Sequence, residues 1–279
     1  MDFTKLHGTG NDFVVLDARS VERNWSALAR TICDRHFGVG GDGLILAAKS
    51  DRAPVRMRIF NADGSEAEMS GNGMRCLVKF AVDLGIVIPR DDEFDVETGA
   101  GVLRVHIASQ GGLVTSVRES MGPPRLDPRE IPVAIDAPPP ITNFDVQVDG
   151  VTLPITPVSM GNPHAVYFQG APVGDYPLDT MGPLMEHHML FPKRTNFEVV
   201  RVLDRSHAEM RVWERGVGET LSCGSGASAT MVAARLLDLV DGAMELRVPG
   251  GELKLEWDGE GDVILTGPVV EVFRGTWPD

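Results

Sequence analysis

Two short stretches hold residue types that can move a proton. Residues 68–76 read "EMSGNGMRC" and residues 222–229 read "SCGSGASA", and each is followed by an apolar helical pattern. Ser70 and Cys223 stand where the helices should begin. A helix start carries backbone N–H donors outside the helical ladder and about half a positive charge, so it attracts anions. The glycines directly after Ser70 and Cys223 let a ligand approach those donors. The same field lowers a cysteine pKa from about 8.5 to roughly 3.5–7.5, so Cys223 is expected to be a thiolate at neutral pH. A carboxylate held beside a thiolate invites removal of the adjacent α-proton, with the developing charge met by preorganised N–H groups. A second donor on the opposite face would return a proton there and invert the carbon. That is a two-base racemase or epimerase, a chemistry that needs neither metal nor cofactor. Cys33 and Cys76 lack this setting and read as core residues. No phosphate loop, zinc motif, dinucleotide fingerprint or nucleophilic serine elbow competes, and "GVGGDG" (38–43) reads as a turn.

The elements that must position these residues occur twice. "MRIFNADGSEAEMSGNG" (57–73) lies without a gap over "MRVWERGVGETLSCGSG" (210–226), placing Ser70 on Cys223. "FDVETGAGVLRVHI" (94–107) overlays "MELRVPGGELKLEW" (244–257), and "GNDFVVLD" (10–17) overlays "GNPHAVYF" (161–168) more weakly. The period is half the chain, so the sequence is duplicated rather than a solenoid. Each half reads as short alternating strands, a Gly-rich turn, one helix and more strands. The helices, near Gly71–Leu84 and Gly224–Val240, are apolar almost all round, as a helix enclosed by its sheet must be. The expected fold class is α+β: two pseudo-symmetric domains, each a curved, mainly antiparallel sheet wrapped around a central helix. The halves are 1–122 and 123–279, with the last strand free to return to the first half. The Pro-rich stretch 121–140 is the expected crossing between them. An active site in the interdomain cleft would bring Ser70 and Cys223 to one point.

Composition excludes several partners. With 43% apolar and 24% charged residues the chain is a globular protein rather than a disordered one. A net charge of −14 disfavours nucleic acid and anionic membrane surfaces. No apolar run reaches the roughly 20 residues of a membrane span, and the start has no signal-peptide pattern. Three widely spaced cysteines form neither a disulfide framework nor a metal motif, which points to a reducing cytoplasm.

These residues resemble diaminopimelate epimerase over essentially the whole chain. The likeness runs through "KLHGTGNDFVVLD", "FNADGSEAEMSGNGMRC", "MGNPHAVYF", "RTNFEVVRV" and "WERGVGETLSCGSGA". The resemblance implies interconversion of LL- and meso-diaminopimelate without pyridoxal phosphate, in lysine and peptidoglycan precursor biosynthesis, by a homodimer. It implies that Gly71, Asn72, Gly224 and Ser225 offer donors to the carboxylate at the reacting centre. Asn61, Asn162, Asn196 and Arg215 would hold the distal carboxylate, Glu214 the distal ammonium, and Asn11 would touch substrate. His164 follows the family pattern with an equal claim to a structural role. The departure is Ser70, where most members of the family have the second acid/base cysteine. That leaves two further readings: a related racemase or dehydratase using a Ser/Cys pair, or a catalytically impaired form that binds substrate.

Overall fold

Both small-residue stretches begin helices in the computed structural model, which describes residues 1–278. The chain divides into two compact units. The first holds Met1–Ser120 together with the chain from Thr266 onward, and the second holds Met121–Leu265.

In chain order the first unit contributes β1 (Asp2–Gly8), β2 (Asn11–Asp17), α1 (Trp25–Ile32), β3 (Gly43–Ala48), β4 (Val55–Asn61), β5 (Glu66–Ala67), α2 (Gly71–Asp83), β6 (Glu93–Thr98), β7 (Gly101–Gln110) and β8 (Leu113–Ser120). The second follows with β9 (Phe144–Val148), β10 (Val151–Ser159), β11 (Pro163–Phe168), α3 (Leu178–Glu186), β12 (Asn196–Asp204), β13 (His207–Glu214), β14 (Gly218–Thr220), α4 (Gly224–Leu236), β15 (Ala243–Val248) and β16 (Gly251–Glu256). β17 (Ile264–Pro268) spans the division, and β18 (Val270–Thr276) returns to pair with β1.

The duplication is one of topology as well as sequence. β1–β2, β3–β4, β4–β5 and β6–β7 are antiparallel, as are β10–β11, β12–β13, β13–β14 and β15–β16. The sheets are nonetheless mixed. β2–β3 and β4–β6 run parallel, as do β11–β12 and β13–β15 at the matching places. Each parallel pair is joined through a helix, the crossover such a pair needs.

α2 packs against β1, β2, β3, β4 and β8, and α4 against β10, β11, β12, β15 and β16. Residues from Asn72 through Ala81 are buried without a break, and so are those from Gly226 through Ala234. These are helices enclosed on every face, each at the centre of its own core.

Two expectations need correction. Each unit has a second helix. α1 is capped by Asn24, whose Oδ1 accepts the Ala27 N–H at 3.0 Å, and it seats Trp25, Leu28, Ala29 and Ile32 in a separate core. α3 supplies Leu178, Met181 and Met185 to another. α4 ends at Leu236 rather than near Val240, because Asp238 takes a left-handed φ of 55°. The Asp238 N–H then bonds Arg235 O and the Leu239 N–H bonds Ala234 O, a Schellman closure that stops the helix. The Pro-rich stretch 121–140 opens the second unit, with Ile131, Val133 and Ile135 buried in the core around α3. Among the described residues no helix is long and apolar enough to cross a membrane.

Candidate active site

At the start of α2, Ser70 is an N-cap with extended backbone, and its Oγ accepts the Gly73 N–H at 3.1 Å. Behind it the helix sits on hydrocarbon. A Cβ added to Gly73 would come within 3.1 Å of Ile45 Cδ1 and 3.2 Å of Ile59 Cδ1. Asn72 and Asn11 meet through Asn72 Nδ2, which donates to Asn11 Oδ1 at 3.2 Å, while Asn11 Nδ2 donates to Asp42 Oδ2 at 2.6 Å. Asn61 is exposed and turns into its own loop, donating to Ser65 Oγ at 2.9 Å.

The start of α4 has the same backbone and different surroundings. Cys223 is the N-cap, yet its side chain makes no capping bond. Its Sγ lies 3.5 Å from Ser225 Oγ. From there a chain of polar groups runs inward. Asn162 Nδ2 donates to Ser225 Oγ at 3.3 Å, Asn162 Oδ1 lies 3.0 Å from His164 Nε2, and His164 Nδ1 lies 2.7 Å from Glu198 Oε1. His164 and Glu198 have no solvent exposure. Because Asn162 Oδ1 can only accept, His164 Nε2 carries hydrogen, so the His164–Glu198 contact shares one further proton. Gly226 is required here: a Cβ would come 2.7 Å from Glu198 Oε1, so only glycine lets that carboxylate reach the helix start.

These neighbours overturn the expected thiolate. Burial pushes the Cys223 thiol well above its ordinary value, and the negative charges of Glu214 and Glu198 push it the same way. The field of the helix start is outweighed by desolvation and two carboxylates, so the resting sulfur is protonated. Cys33 and Cys76 are pushed up to about 12 by burial, as core residues are. Burial also raises Glu198, against the pull of His164.

Of the residues expected at the distal end, Asn196, Glu214 and Arg215 gather at β12 and the end of β13, while Asn61 ends β4 in the first unit and Asn162 precedes β11. Asn196 Oδ1 accepts the Arg215 N–H at 2.8 Å and its Nδ2 donates to Pro163 O at 2.9 Å. Arg215 reaches Lys193 O at 3.0 Å, and Glu214 Oε1 accepts from Thr220 Oγ1 at 2.5 Å. The second unit thus joins Cys223, Ser225 and Asn162 in one network and Asn196, Arg215 and Glu214 beside it. Three buried residues escaped sequence reasoning: Glu198, Arg75 and Glu119. Their signal was a charge inside an apolar run, "NFEVV" for Glu198 and "MRCLV" for Arg75.

The comparisons decide the family. The family model described as diaminopimelate epimerase matches residues 3–126 and 156–272. The diaminopimelate epimerase of Moorella thermoacetica is 46% identical over 281 residues, covering 100% of this chain and 99% of that one. That of Desulforudis audaxviator is also 46% identical, over 280 residues and 99% of both chains. The chain belongs to the diaminopimelate epimerase family. Among solved structures, a hydroxyproline epimerase from Agrobacterium vitis superimposes with a TM-score of 0.72 at 15% identity, over 99% of this chain and 91% of that one. A PhzF-family phenazine biosynthesis protein from Bacillus anthracis gives 0.71 at 16%, over 99% and 98%. At such identities these two share the fold.

Proposed function

We propose that this protein is an isomerase that interconverts LL- and meso-diaminopimelate by removing and returning the α-proton, and so serves lysine biosynthesis. The observation that carries the reading is Cys223. It is a helix-start thiol that makes no capping bond, in a chain that matches named diaminopimelate epimerases from end to end. Cys223 takes or gives the proton on one face of the α-carbon, and Ser70 serves the other.

The reaction needs the thiol to lose its proton, and substrate charge supplies the means. Backbone N–H groups at Gly71, Asn72, Gly224 and Ser225 hold the reacting carboxylate. Arg215, with Asn61, Asn162 and Asn196, holds the distal carboxylate, and Asn11 adds a contact. A distal ammonium against Glu214 neutralises one of the charges that push the Cys223 thiol up, so binding itself favours the thiolate. Ser70 has its oxygen engaged by the Gly73 N–H and its own hydroxyl hydrogen to give. That suits a donor better than a base.

A Ser/Cys racemase or dehydratase acting on another substrate has less support, since the distal Arg215 and Glu214 are both present. A homodimer is the proposed assembly. β18 leaves Val270, Val272 and Phe273 about half exposed, a surface that a second copy would cover. Three free, buried cysteines suit a reducing cytoplasm. Incubation with LL-diaminopimelate in deuterated water tests the reaction. Inversion with α-deuteration is expected. Exchange without inversion would reduce the assignment to half of the chemistry, and tight binding without exchange would leave a binding protein.

A further inference from the structure

Arg75 is a cation with no solvent exposure, one turn into α2 at the helix end where a positive charge is least welcome. Its partner Glu119, on β8, is equally inaccessible, with Oε1 3.6 Å from Arg75 Nη1. Arg75 Nη1 and both Glu119 oxygens lack a hydrogen-bond partner, so the pair is held by charge and not by fitted bonds. Such a pair is a poor stabilising device, because the desolvation cost of two ions exceeds what imperfect geometry returns. Its other bonds show what it does. Nη2 donates to Asn72 Oδ1 at 2.5 Å and to Thr9 Oγ1 at 3.3 Å, and Nε donates to Pro268 O at 3.3 Å.

A guanidinium only donates, so it dictates which end of the Asn72 amide points inward. The oxygen faces Arg75 and the NH2 group faces Asn11 at the helix start. We infer that Arg75 and Glu119 are positioning residues that lock the Asn72 amide with its donors toward the substrate carboxylate, an inference that rests on the α2 start being a carboxylate site.

The second unit also fixes an amide beside its helix start, at Asn162, which the overlay matches to Asn11 and not to Asn72. The position matching Arg75 is Ser228, which bonds Gly224 O and cannot serve. There the amide is Asn162, its oxygen faces His164, its NH2 group faces Ser225, and the buried carboxylate behind His164 is Glu198. In the first unit the locking donor comes from the helix, and in the second from β11. Both arrangements place a donor backed by a buried glutamate on an amide oxygen beside a helix start. In each unit the buried donor fixes which end of that amide faces outward.

The test is a double-mutant cycle on steady-state epimerisation, with parent, Asn72→Ala, Glu119→Gln and the double variant. Asn72→Ala should raise KM for diaminopimelate about tenfold, and Glu119→Gln should raise it severalfold with a smaller change in kcat. The double variant should be no worse than Asn72→Ala alone, the signature of coupled residues. If Asn72→Ala raises KM and Glu119→Gln does not, or if the two effects add, the positioning role is wrong while the carboxylate site stands. If Asn72→Ala leaves KM unchanged, the amide side chain does not meet the substrate and the positioning role is wrong, whereas absence of α-deuteration in the parent would remove the underlying reading. Should Glu119→Gln fail to fold, Arg75→Lys, which keeps the charge and a donor but not the fixed fork, takes its place in the same cycle with the same outcomes.

Discussion

The helix starts at Ser70 and Cys223 share a backbone and differ in what lies behind them. Where Glu198 sits under α4, opposite Val212, the matching place under α2 is Ile45, opposite Ile59. Where Glu214 precedes the turn into β14, Asn61 precedes the turn into β5. One start is therefore backed by two carboxylates and the other by an isobutyl-sized hydrocarbon and an amide. The cap residues follow suit. Ser70 uses its side chain to close its own helix, and Cys223 leaves that task undone. A helix dipole alone does not set a cysteine's charge, because burial and two nearby negative charges outweigh about half a unit of positive charge. The start that looks armed in sequence is held neutral at rest, and the start that looks disarmed is the better-made helix cap.

The largest expected effect is loss of α-proton exchange in Cys223→Ala. General acid–base groups are worth about 10²–10⁴-fold, and no other described thiol can substitute, since Cys33 and Cys76 are core residues pushed up to about 12. Deuterium incorporation by mass spectrometry reads this directly, and retained exchange would remove Cys223 from the chemistry. Next comes Ser70→Cys, expected to speed inversion in both directions by about 10²-fold. Forward and reverse passage share one transition state, so a better acid or base at position 70 cannot favour one direction alone. In the parent, exchange on the Cys223 face should outrun inversion, and the gap should narrow in Ser70→Cys. Inversion rates from LL- and meso-diaminopimelate settle it, and equal rates in parent and variant would detach Ser70 from the mechanism.

A smaller effect tests the electrostatic contrast without substrate. Glu214→Gln removes one charge that raises the Cys223 thiol, so the pH profile of its alkylation should shift downward. The reaction at a given pH below the midpoint should quicken by up to about tenfold for each pKa unit. An unmoved profile would take Glu214 out of the shift and leave it to burial and Glu198. The smallest effect is on stability. Ser70→Cys trades a good N-cap for a poor one at a cost of about 1 kcal/mol. The thermal midpoint should fall by roughly 2–4 °C even as the reaction quickens. A rise in the midpoint would mean that the Ser70–Gly73 bond contributes nothing.

Much of this architecture could be read from the chain. The two helix starts, the hairpins around Gly101 and Gly251, and the central helices follow from local pattern, because turn residues and periodicity are local signals. Local pattern could not reveal α1 and α3, which are short, nor the parallel pairs, whose partners are remote in sequence. The protonated state of Cys223 was illegible for the same reason. Nothing near "SCGSGASA" announces that Glu198 arrives from another strand and that Gly226 makes room for it. The site's polar supports lie in three dimensions, and the sequence shows them only as charges in the wrong company.

β18 has a consequence for how the molecule is made. It pairs with β1, the first strand, but it is synthesised only after the whole of the second unit. The second unit is a continuous length of chain and can complete its core as it emerges. The first must wait with one side of β1 unzipped, and an open strand edge is where stray pairing begins. The helix start carrying Ser70 is therefore the older stretch of chain but belongs to the younger folded body.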